Sequence, residues 1–130
     1  MSFPYSYGSL KVLDTLHPDL KKVMIEASKT CNISLINGFR NQADQDRAFA
    51  EGKSQKKWPE SKHNENPSKA VDCAPYPVSW AKVDEWRFFV MMGHIQAAAV
   101  NVGVKLRFGY DFNGNDKLDG FIDLDHVELA

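Results

Sequence analysis

Apolar residues recur at Leu16, Leu20, Val23, Met24 and Ala27, the spacing of one helical face, and Pro18 falls where a first helical turn accepts proline. This predicts a helix over about 17–30. The period then changes. Ile33, Leu35 and Ile36 form a partly β-branched alternating run within residues 32–37, which predicts a short strand ending at Gly38. A second helix is predicted from near Asn41 to Glu51, closed by Gly52. Residues 52–69 carry Gly, Ser, Pro, Asn and Lys around almost no apolar side chain but Trp58, and a loop of that length in a compact domain is either functional or partly disordered. Ala70 to Ala74 reads as a buried strand, Pro75 and Pro77 as a turn, and residues 83–102 as a long helix that passes from amphipathic to apolar. Lys105 to Phe108 and Asp125 to Leu129 read as strands joined by an acidic, glycine-containing loop. Helices and short strands interleave without βαβ spacing, so the expected class is α+β.

At 130 residues and 14.7 kDa the chain is expected to be one domain, residues 1–130. A hydrophobic content of 43% with 25% charged residues excludes disorder for most of it. The net charge of -1 removes the whole-molecule attraction of a non-specific nucleic-acid binder, so no nucleic-acid partner is expected. Lys53, Lys56, Lys57, Lys62 and Lys69 nevertheless cluster around Trp58, either as a solvated polar loop or as an attractor for an anionic polymer. Cys31 and Cys73 form no CxxC pair, which argues against a disulfide framework and a thiolate zinc site. Met1 to Leu10 lacks the basic start and apolar run of a signal peptide. The longest apolar stretch, Phe88 to Val100, is interrupted by Gly93, His94 and Gln96 and is too short to span a bilayer, so no membrane insertion is expected.

Four histidines could ligate a metal. His17, beside Pro18 at a helix start, reads as a surface residue. His94 has no carboxylate or histidine three or four positions on, and reads as the edge of the core. His63 and His126 remain. Asp72 interrupts the apolar run Ala70-Val71-Asp72-Cys73-Ala74, and an unpaired buried carboxylate is expensive, so it must meet a cation or open onto a cleft. A metal ion satisfies this directly. Strand alternation turns Val71 and Cys73 away from Asp72, which excludes Cys73 as a ligand. Asp123, Asp125 and Glu128 surround His126, an arrangement in which neighbours orient a ligand or move protons. The bland alternative is a loop histidine at 63 and a carboxylate-bonded histidine at 126. No HExxH helix decides between them. Asp111, Asn113, Asn115 and Asp119 occupy positions 1, 3, 5 and 9 of an EF-hand-like pattern whose glycine and glutamate are replaced by Asp116 and Ile122, so the segment is either a calcium loop leading to Asp123 and His126 or a polar turn.

Ser61-x-His63, Ser68-x-Ala70-x-Asp72 and Asp123-x-x-His126 resemble the SxHxxGxAxD and D/ExxH signatures of the zinc D-alanyl-D-alanine carboxypeptidase and dipeptidase superfamily. The closer likeness is to phage endolysins that are L-alanyl-D-glutamate peptidases. Met1-Ser2-Phe3, Gly38-Phe39-Arg40, Leu106 to Asp111 and His126-Val127-Glu128-Leu129 are similar to endolysin segments in the same order. Ser68 replaces the family glycine, and Asn64-Glu65-Asn66-Pro67 widens the spacing of His63 and Asp72 from the family's seven positions to nine, like a two-residue insertion. Lengthening a flexible loop adds little closure entropy, so ligation is expected to survive.

The resemblance implies a small antiparallel sheet with flanking helices and one catalytic zinc held by His63, Asp72 and His126, with water as fourth ligand. It also implies that Asp123 is the general base and acid. Asp125 and Glu128 are its rivals: Glu128 shares a strand face with His126, whereas Asp125 points away once the strand has begun. Arg40 would hold a substrate carboxylate or stabilise the oxyanion, and Ser61 would contact substrate. The implied partner is bacterial peptidoglycan, cut between L-alanine and D-glutamate by a monomer made in the host cytoplasm that reaches the wall after a separate protein permeabilises the membrane. The alternatives are a D-alanyl-D-alanine carboxypeptidase and a non-catalytic, zinc-clamped wall-binding module, the latter disfavoured by the retained Asp123.

Overall fold

The computed structural model describes residues 2–109 and 123–130. Helices α1 (Tyr7–Asp14) and α2 (Pro18–Ala27) precede β1 (Ile33–Asn37), α3 (Gln42–Ala50), β2 (Ala70–Pro75), α4 (Glu85–Val102), β3 (Leu106–Phe108) and β4 (His126–Leu129), with 3-10 turns at Lys62–Asn64 and Lys82–Asp84. The four strands pair antiparallel in the order β1-β2-β4-β3. The α+β class and the small antiparallel sheet are therefore borne out.

Side-chain caps fix the starts of the first three helices. His17 caps α2, its Nδ1 accepting from the Asp19 amide, and Asn41 caps α3 by accepting from the Asp44 amide. Helix α1 had no counterpart in the sequence reading. Ser6 caps it, but only Ser9 and Leu13 are buried, so its apolar period is too thin to read.

The two faces of the sheet differ in kind. Ile33 and Leu35 of β1, Val71 and Cys73 of β2 and Val127 of β4 pack with Leu20, Val23 and Met24 of α2 and Met91, Met92 and Ile95 of α4 in one buried cluster. Burying each such apolar side chain contributes about 1.5–3 kcal/mol. Asp72, His126 and Glu128 alternate with these residues and are also buried. Pairing runs Leu35 to Cys73 and then Asn37 to Asp72, so one residue, Ile36, bulges out. The bulge sets Asn37 opposite Asp72.

The long segment 52–69 is anchored at both ends. Lys56 accepts a hydrogen bond from Gln45, and Ser68 bonds through its backbone to Thr15 and His17. No helix among the described residues is long and apolar enough to cross a membrane.

Candidate active site

Asp72 and His126 face each other directly across the β2 and β4 pair, which puts their side chains on one face within contact. Asp72 Oδ1 lies 3.3 Å from His126 Nδ1. His63 arrives from the turn at Lys62–Asn64, whose start is fixed when Ser61 Oγ accepts from the His63 amide at 3.2 Å and Asn64 Oδ1 accepts from the Ser61 amide at 3.0 Å. The segment Asn64-Glu65-Asn66-Pro67, which reads as holding a two-residue insertion, thus includes Asn64, a buried member of a capping box.

The Gly38 carbonyl can only accept, so the 2.8 Å bond to His63 Nδ1 puts the ring hydrogen there. A side chain at Gly38 would collide with Thr15, so only glycine lets this carbonyl come so close. His63 Nε2 is left pointing into the site, 3.3 Å from Asp72 Oδ1, buried and without a hydrogen-bond partner. Leaving such an atom unsatisfied costs about 1–3 kcal/mol. His63, Asp72 and His126 each offer a ligand atom, all within 4.8 Å of one another. Two imidazoles and one carboxylate form a donor set suited to zinc and similar divalent ions, and a cation there would complete the orphaned nitrogen.

Neighbouring groups hold these ligands. Glu128 Oε1 lies 2.8 Å from His126 Nε2 and orients the ring so that Nδ1 faces Asp72. Lys62 pairs with Glu128 Oε2 at 3.3 Å and donates to the Leu129 carbonyl. Asp72 Oδ2 is approached by Arg40 Nη2 and Asn37 Nδ2, each at 3.5 Å, while Oδ1 serves the imidazoles. Burial pushes the Asp72 carboxyl up, yet His63 and His126 outweigh it and hold it well below the usual carboxylate range. Burial also pulls the His126 imidazole down, but bonds to Asp72 and Glu128 win and raise it to about 9. Glu128 is likewise lowered, burial being overcome by His126 and Lys62.

Asp123 is placed by backbone contacts. Its amide donates to the Gly109 carbonyl at 2.7 Å, and the Gly109 amide donates to the His126 carbonyl at 2.9 Å. A Cβ on residue 109 would run into the Asp123 backbone, so this approach needs glycine. Asp125 corrects an expectation. Strand β4 begins only at His126, and Asp125, instead of pointing away, brings a carboxyl oxygen within 4.8 Å of those of Asp72 and Asp123. Burial, a hydrogen bond to Asp123 and the Asp72 charge raise it to about 9.

These groups open on a pocket of about 310 Å³ lined by Arg40, Ser61, His63, Asp72, Asp123, His126 and Glu128, with Lys53, Ser54, Gln55, Lys56 and Lys62 completing the wall. The sequence-selected residues 40, 61, 63, 72, 123 and 126 therefore meet in one place. Ser61 is there, but its hydroxyl is engaged in capping. His17 caps α2 and His94 bonds Thr30 at 2.9 Å, and neither lines the pocket. The suggested calcium ligands Asp111, Asn113, Asn115 and Asp119 lie outside the described residues. Cys73 is buried on the apolar face, its thiol pushed up by burial. Sequence reasoning missed Gln45, Asn64 and Asn37. Asn37 was visible only as a polar strand end, and nothing distinguishes Gln45 from the other polar residues of α3.

A sequence model of the phage L-alanyl-D-glutamate peptidase family matches residues 1–130. The chain is similar to an L-alanyl-D-glutamate peptidase of Escherichia phage T5, with 32% identity over 140 residues and complete coverage of both chains. In fold it is similar to the crystal structure of the L-Ala D-Glu endopeptidase ChiX of Serratia marcescens, with a TM-score of 0.74, 24% identity, and coverage of 98% of this chain and 90% of that one.

Proposed function

This chain belongs to the phage L-alanyl-D-glutamate peptidase family, and on that premise we propose that it is a zinc-dependent endolysin cutting the L-alanyl-D-glutamate bond of peptidoglycan stem peptides. The observation that carries the zinc dependence is the convergence of His63 Nε2, Asp72 Oδ1 and His126 Nδ1, the first of them buried and without a hydrogen-bond partner. When bound, zinc would lower the pKa of a water toward about 7 and polarise the scissile carbonyl.

The remaining work falls to the chain's own groups. His63 and His126 present lone pairs because Gly38 and Glu128 hold their other ring nitrogens. Asp123 takes the proton of the water that adds to the carbonyl carbon. It returns that proton to the alanyl-glutamate nitrogen as the C–N bond breaks, leaving a carboxyl group on alanine and an amine on glutamate. Arg40, fixed between Gln45 and Asp72, offers its guanidinium to the charge that develops on the carbonyl oxygen. In this reading the protein is made in the host cytoplasm, acts as a monomer and meets the wall after a separate protein has opened the membrane.

The test pairs metal analysis with mass spectrometry of digested peptidoglycan, for the wild type and for Asp123→Ala. The expected result is about one zinc per chain in both proteins, new alanine carboxyl and glutamate amino ends from the wild type, and a loss of about 10²–10⁴ in rate for the variant. Release of terminal D-alanine would instead identify a carboxypeptidase. Zinc without any cleavage would identify a wall-binding clamp, and undiminished lysis by Asp123→Ala would refute the assigned base.

A further inference from the structure

Gln45 is fully buried on α3, a mostly exposed helix on which the other buried residue is Ala48. All four hydrogen-bonding positions of its amide are used. Oε1 accepts from Arg40 Nη1 at 2.9 Å and from Asn64 Nδ2 at 3.1 Å, and Nε2 donates to Ser54 Oγ at 3.0 Å and to the Lys56 carbonyl at 2.6 Å. One side chain thus joins three segments of the pocket: the Arg40 loop, the turn that presents His63, and residues 54–56. Only a side chain that both donates and accepts can do this. A carboxylate could keep the bonds from Arg40 and Asn64 but would face the Lys56 carbonyl with a second acceptor.

The third segment, with the adjoining Lys53, carries cations. Lys53 and Lys56 line the same pocket as His63, Asp72 and Asp123. Lys53 is paired with Glu51 at 3.1 Å, but both side chains are largely exposed and such a pair is weak. Lys56 forms no ion pair among the described residues. A glutamyl residue on the leaving side of the scissile bond has two carboxyl groups, of which one continues the chain and the other remains free and anionic. We propose that Lys53 and Lys56 form a binding wall for that free carboxylate, and that Gln45 is the positioning residue holding this wall in register with Arg40 and His63. The inference rests on the peptidase reading above and adds the part of the substrate that the loop selects.

The test compares two synthetic stem peptides, one with the free glutamate carboxyl intact and one with it amidated, using the zinc-loaded full chain. The wild type should favour the carboxylate peptide by about tenfold or more in kcat/KM, the effect of about 1.4 kcal/mol of differential binding. Lys53→Ala/Lys56→Ala should bring the ratio toward one through KM. Gln45→Glu should likewise reduce the ratio and raise KM with kcat changed little, because Arg40 remains held. Gln45→Met, which also releases Arg40, should lower kcat as well. Zinc content and the thermal midpoint are measured on every variant, and the exposed lysine pair keeps the test intact if a Gln45 variant fails to fold. A wild-type ratio near one, or a ratio unmoved by the lysine substitutions, overturns the inference while leaving the peptidase reading standing. A fall in kcat as large as the rise in KM for Gln45→Glu, with the carboxylate preference unmoved, would reduce Gln45 to a structural residue and overturn its positioning role. Failure to cut either peptide between alanine and glutamate overturns both readings together.

Discussion

Asp72 and Cys73 are adjacent on β2 and both are buried, yet one enters the pocket and the other the apolar core. On the core face each side chain is satisfied by contact with α2 and α4, and burial alone favours it. On the site face burial opposes the charge of Asp72, and the carboxylate is kept ionised by the His63 and His126 imidazoles, with the Arg40 guanidinium 3.5 Å away. The lesson is that equal burial gives opposite dependences: the core face should not notice a metal ion, whereas the site face holds a buried ring nitrogen without a hydrogen-bond partner.

The sharpest way to break this contrast is Asp72→Asn, which keeps shape and removes the charge. Breaking a buried charge set costs about 3–5 kcal/mol, so zinc affinity should fall by roughly 10²–10⁴ and hydrolysis with it. Calorimetric zinc titration checks the first and peptide cleavage the second. Leu20→Ala probes the other face. It should remove about 2–5 kcal/mol of folding stability, read by denaturant unfolding, while zinc per folded chain stays unchanged. If Leu20→Ala emptied the metal site as thoroughly as Asp72→Asn, the two faces would not be independent.

A smaller effect is expected one step out from the ligands. Glu128→Gln keeps an acceptor for His126 but removes the charge, and should weaken zinc affinity or activity by about 10–100-fold. A further effect is in pH. In the chelated protein His126 and Asp125 both hold protons to about 9, above their ordinary values of 6.5 and 3.8. Between those values and 9 the folded state binds more protons than the unfolded state, so stability of the chelated protein should fall as pH rises through this window. Zinc competes with the His126 proton and should bind more tightly over the same range. The gap in thermal midpoint between zinc-loaded and chelated protein should therefore widen from pH 6.5 to 9, and a gap that narrows would contradict the assigned protonation.

The sequence made some of this legible for definite reasons. Asp72 stood out because a carboxylate in an apolar strand needs a partner, and strand alternation correctly separated it from Cys73. His63 and His126 survived because His17 and His94 had ordinary structural explanations, which the fold bears out. What was hidden lay in tertiary geometry. Gln45 looks like any polar residue on a polar helix, and its burial depends on residues 54–56 folding back over it. The direction of Asp125 turned on where β4 begins, a one-residue question that a period of two cannot settle. Asn37 reaches the site only through the bulge at Ile36, which has no glycine or proline to announce it.

The central claim is tested most directly by X-ray absorption at the zinc edge of the loaded protein. The expected spectrum contains two imidazole shells and low-Z nitrogen and oxygen neighbours at about 2.0–2.2 Å, with one imidazole shell lost in His63→Ala. A sulfur neighbour at about 2.3 Å, or an imidazole signal unchanged by that substitution, would contradict it.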